Sequence, residues 1–99
     1  MDTAMTVLFV DDDPTYFRLT IPNHFECKGQ EQVDLALVVA NDLNRAYKVA
    51  KFVVVDGWVW CNVEMYLKPL DAFRPTFARC LDLLSEASGA FRQRMRRLQ

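Results

Sequence analysis

The chain has 99 residues, 52% of them hydrophobic, with a formal net charge of −1 and a sequence pI near 5.7. That length supports one core burying roughly 60–65% of the unfolded chain's surface, and the charge balance argues against a nucleic-acid binder. No apolar run reaches the roughly 18 residues of a membrane span, and Met1 to Met5 lacks a signal-peptide pattern.

In chain order, Thr6 to Val10 and Thr15 to Ile21 are rich in β-formers and predict a first hairpin around Asp11-Asp12-Asp13-Pro14. Pro22 to Gly29 reads as a loop holding the single histidine, His24, as a solvated side chain. Gln30 to Tyr47 predicts a helix with Val33, Ala36, Leu37, Ala40, Leu43 and Tyr47 on its core stripe. Leu35, Val38 and Val39 fall outside that stripe and predict cover on a second side. Lys48 to Val55 and Trp58 to Leu67 form a hairpin through Asp56-Gly57. A long helix then begins near Asp71, with Pro75 tolerable only in its first turn. Its stripe is Leu70, Phe73, Phe77, Leu81, Leu84, Ser88, Phe91, Met95 and Leu98. The order ββαββα makes the expected fold α+β, an antiparallel sheet with helices packed on one face.

Three fragments resemble a response-regulator receiver: Val7 to Pro14 with its acidic cluster, Val53-Val54-Val55-Asp56, and Tyr66-Leu67-Lys68-Pro69. On that reading the protein is a phosphoryl-accepting switch using Asp12, Asp13 and Asp56. A receiver, however, needs parallel strands joined by crossovers of a dozen or more residues. The eleven residues between Asp56 and Lys68 read instead as one returning strand, which puts Lys68 roughly 30 Å from Asp56.

The returning strand divides its residues between two faces. Val59, Cys61, Val63, Met65 and Leu67 take the core side, and Trp58, Trp60, Asn62, Glu64 and Tyr66 the other. On the strand before the first helix, Phe17, Leu19 and Ile21 face inward while Tyr16, Arg18 and Thr20 face out. Large aromatics on an open sheet face mark an interface. The expected interaction residues are therefore Trp58, Trp60, Tyr66 and Tyr16, with Leu35 and Val39 on the helix, and the expected assembly is a homodimer.

Catalytic signals are thin. Cys27, Cys61 and Cys80 lack metal or redox spacing, and read as reduced, partly buried thiols of a cytoplasmic protein. No imidazole or thiol partners His24 at zinc-ligand spacing. Asp11, Asp12 and Asp13 could hold a divalent cation, although adjacent loop acids are commonly just solvated. With three glycines in the chain there is no phosphate loop. Arg92, Arg94, Arg96 and Arg97 complement a helix C-terminus. The expectation is no enzyme, no cofactor and no metal, with nucleic acid and membrane both disfavoured as partners.

The stretch Val38-Val39-Ala40-Asn41-Asp42-Leu43-Asn44-Arg45 resembles the helix of YbjN-type proteins, in which two asparagines three apart close a helix before a pair of strands. The strand from Lys48, the Asp56-Gly57 turn, the strand bearing Glu64 and the final helix with Phe73, Leu81, Leu84 and Phe91 are similar too, so the likeness covers roughly residues 15 to 95. It implies a fold like that of type III secretion chaperones, usually dimeric, in a family described as bacterial sensory transduction regulators. Those proteins usually begin with a further helix and more strand than this sequence carries.

Overall fold

The computed structural model describes residues 6–10 and 13–98. Strands β1 (Thr6–Val10) and β2 (Asp13–Glu26) lead into helix α1 (Gln30–Ala46), and strands β3 (Ala50–Val55) and β4 (Trp58–Tyr66) follow. A 3-10 helix (Leu70–Thr76) then precedes helix α2 (Phe77–Leu98). The described strands form one four-stranded antiparallel sheet in the order β1-β2-β4-β3. The fold is α+β, and among the described residues no helix is long and apolar enough to cross a membrane.

The strands obey their alternation. Phe17, Leu19 and Ile21 of β2 and Val59, Cys61 and Val63 of β4 are buried on one sheet face. There they join Ala36, Val39, Ala40 and Leu43 of α1 and Leu84, Ala87, Phe91 and Met95 of α2 in one core cluster. The β3–β4 hairpin closes at Asp56 and Gly57, with φ of 50° and 81°. Both central residues of this tight hairpin need positive φ to match the strand twist, which is why Asp-Gly works there.

Three expectations are corrected. First, Pro22 to Glu26 is not loop: β2 runs through it with an irregular register, so that Pro22, Asn23 and His24 stand opposite Trp60 alone. Pro22 has no N–H to give the ladder, and an interior strand accommodates proline only at such a bulge. The bulge carries His24 toward Phe52 and Phe91, at ring-centroid distances of 5.9 and 5.4 Å, so it is a largely buried side chain and not a solvated one.

Second, the buried stripe of α1 is Ala36, Val39, Ala40 and Leu43. Leu37 is exposed, while Val39 is 1% exposed and belongs to the core. The stripe keeps Ala36, Ala40 and Leu43 of the sequence reading and takes Val39 in place of Leu37, which turns its centre by roughly 40° at about 100° per residue. Third, Leu70 to Thr76 is 3-10, and α2 proper starts at Phe77. Pro75 lacks the N–H and disfavours α geometry in the residue before it, so the regular helix starts only after it.

Candidate functional site

The sheet face turned away from the helices holds most of the residues singled out by sequence. β4 places Trp58, Trp60, Asn62, Glu64 and Tyr66 along it, and β2 contributes Tyr16, Arg18 and Thr20. Strand pairing also sets Val55 beside Trp58 and Val53 beside Trp60. Both valines are exposed and both tryptophans half-buried. The result is an aromatic and aliphatic cluster at the Asp56-Gly57 end of the sheet. Val53 and Val55 were missed as surface residues, although alternation with core-facing Phe52 gives them away.

The other end of this face is different in kind. Tyr66 is 75% exposed, and its ring meets Tyr16 edge-on at 6.2 Å. The Tyr16 hydroxyl donates to Glu64 Oε2 at 2.7 Å. Burial raises the Tyr16 pKa, the hydrogen bond to Glu64 and the carboxylate's charge raise it further, and Arg18 opposes them. The phenol therefore stays neutral and acts as donor. Tyr16 and Tyr66 lie six β4 residues from Trp60, roughly 20 Å along the strand. Glu64, Arg18, Thr20 and Asn62 occupy the space between. The four aromatic residues thus share a face but make two patches.

The helix positions separate as well. Leu35 is half-buried and lines a shallow cavity of about 290 Å³ with Lys28, Glu31, Gln32 and Leu98. Val39, being core, offers no surface; the large exposed apolar residues of α1 are Leu37 and Val38. A second groove, about 230 Å³ and mostly apolar, lies among Val49, Met65, Thr76, Arg79, Cys80 and Leu83.

The described residues hold little reactive chemistry. Cys27, Cys61 and Cys80 are free thiols in buried positions. Burial pushes Cys61 up to about 12 and raises Cys27 and Cys80 too, so none is a thiolate nucleophile at neutral pH. His24 is lowered to about 4, first by burial and then by the nearby Arg92 charge. Both its ring nitrogens are buried without a hydrogen-bond partner. No group of three or more His, Cys, Asp or Glu residues among the described residues could hold a metal ion.

Of the receiver-like acids, Asp11 and Asp12 lie outside the described residues, and Asp13 opens β2. Asp56 sits in the β3–β4 turn, and Lys68 follows the far end of β4. The antiparallel register keeps these two apart by the length of a nine-residue strand. The arginines of α2 are partly engaged within the molecule: Arg92 donates to the His24 carbonyl at 3.4 Å, and Arg94 pairs with Asp42 at 3.9 Å.

Compared with known proteins, the chain matches no family model, no curated protein and no solved structure.

Proposed function

We propose that this protein is a non-enzymatic interaction module that works as a homodimer and holds another polypeptide, as a secretion chaperone or a sensory transduction regulator does. The observation that carries the reading is the Val53, Val55, Trp58 and Trp60 cluster on the helix-free face of the sheet. Apolar side chains that line up across two strands give a partner a continuous surface to dry. Such surfaces gain from tryptophan, which buries a large area at low entropic cost. The buried, protonated thiols and the lack of a metal-type cluster among the described residues leave little on which to build a reaction. The chaperone-like class rests on the resemblance of residues 15 to 95 alone.

The test is the mass in solution. Light scattering on the purified chain is expected to give twice 11.5 kDa, and Val53→Lys or Trp58→Ala to shift that mass toward the monomer. A wild-type monomer at all accessible concentrations, with its tryptophan fluorescence unchanged on dilution, would overturn the dimer.

A further inference from the structure

β3 is an edge strand, with β4 on one side and no strand on the other among the described residues. Its sequence, Ala50-Lys51-Phe52-Val53-Val54-Val55, has strong β-propensity, one charge and neither proline nor glycine. Exposed edges of this composition recruit strands from other molecules, so natural sheets blunt them. Here the blunting comes from the end of α1. The Phe52 N–H donates to Asn44 Oδ1 at 2.7 Å, and Asn44 Nδ2 donates to the Phe52 carbonyl at 3.1 Å.

These are the two bonds that a residue of a neighbouring antiparallel strand would exchange with Phe52. One side-chain amide supplies both, because it carries donor and acceptor on adjacent atoms. The amide is also held in place. Lys51 Nζ donates to the carbonyls of Asn44 and Tyr47, each at 2.8 Å, and the Tyr47 N–H closes on the Leu43 carbonyl at 2.9 Å. The last turn of α1 is thereby fastened to the strand it guards.

We infer that Asn44 is an edge lock: its amide occupies the outward main-chain groups of Phe52 and prevents β3 from pairing with β3 of a second copy of the chain. The lock is independent of the sheet-face dimer, since it concerns the strand's main chain and not the Trp58 and Trp60 face. Its removal adds a mode of assembly to whatever the wild type forms.

Amide hydrogen exchange of the wild type is the first test, and it requires no variant. Phe52 is expected to exchange as slowly as amides bonded between β3 and β4, and exchange at the rate of an open strand would overturn the lock. Asn44→Ala supplies the second test. It is expected to speed Phe52 exchange at least tenfold and to give, at rising concentration, assemblies heavier than the wild type. In Asn44→Ala/Val53→Lys, lysine on the edge strand is expected to return the mass to that of Val53→Lys alone. A folded Asn44→Ala with wild-type mass throughout its soluble range would overturn the proposal, as would extra mass that the lysine leaves untouched. Val53→Lys by itself reports on the sheet face, so the two ideas fail separately.

Discussion

The Thr20 hydroxyl donates a 2.6 Å hydrogen bond to Asn62 Oδ1 across β2 and β4, and the two residues are only 3% and 5% exposed on the face without helices. Two small polar groups are thus sealed inside a polar stretch between Trp60 at one end and Tyr16 with Tyr66 at the other. A buried acceptor stripped of its donor costs more than the bond itself contributes.

Thr20→Val keeps the shape and removes the donor, so it is expected to destabilise the fold by about 1–3 kcal/mol. Thr20→Val combined with Asn62→Leu is expected to cost less than the sum of the two single changes, since the second removes the orphaned group. Urea denaturation of all four proteins measures this. Strict additivity would show that the bond is not formed.

Stability is expected to fall on mild acidification because of His24. Its pKa is lowered from 6.5 to about 4 in the folded protein, so the unfolded chain takes up the proton first as pH drops. The contribution is whole above about pH 6.5, is lost progressively down to about pH 4, and changes no further below that. Its size is at most about 3.4 kcal/mol, from about 1.36 kcal/mol per unit. On protonation the imidazolium would sit among Phe52 and Phe91 with the Arg92 cation nearby. His24→Phe is expected to flatten this part of the pH profile, read as denaturation midpoints at pH 7.5 and 4.5. An equal acid loss in the variant would assign the effect to other groups.

The aromatic cluster around Phe91 is the centre of the core. Phe91 is fully buried, stacked on Phe52 at 5.2 Å and edge-on to Phe25 at 5.5 Å. Phe91→Ala is expected to cost about 3–5 kcal/mol. That is a large share of the 5–15 kcal/mol typical of a domain. A calorimetric melt should show a pronounced loss of melting temperature or no cooperative transition.

Much of this fold was legible because the strands obey a period of two. Phe17, Leu19, Ile21, Val59, Cys61 and Val63 could be assigned to one face by counting, and Asp56-Gly57 fixed a turn through its dihedral demands. What failed was governed by tertiary context. Pro22 and Asn23 are ordinary loop residues, yet a bulge keeps them in a strand and buries His24 beside them. In the sequence Asn44 stands out only as one of two asparagines three apart that close a helix. Nothing local says that its amide pairs with the main chain of Phe52 eight residues later. The two aromatic patches could not be told from one either, because alternation gives the face of a side chain and not how its neighbours fill the space between.

Helix α1 offers the sharpest check on that distinction, because adjacent valines have opposite fates. Val39 is 1% exposed and Val38 is 56% exposed. The run Leu35 to Ala40 is apolar throughout, so hydrophobicity cannot say which residue faces inward; the structure buries the small Ala36 and Ala40 together with Val39. Placing a carboxylate at Val39 would bury a charge without a partner, and in practice the group would stay protonated or the helix would detach. Val39→Asp is therefore expected to remove cooperative folding, or to cost more than about 3 kcal/mol. Val38→Asp is expected to change stability by no more than about 0.5 kcal/mol, as surface substitutions usually do. Far-UV circular dichroism during urea titration separates the two. Equal effects at both positions would mean that α1 does not turn Val39 inward and Val38 outward.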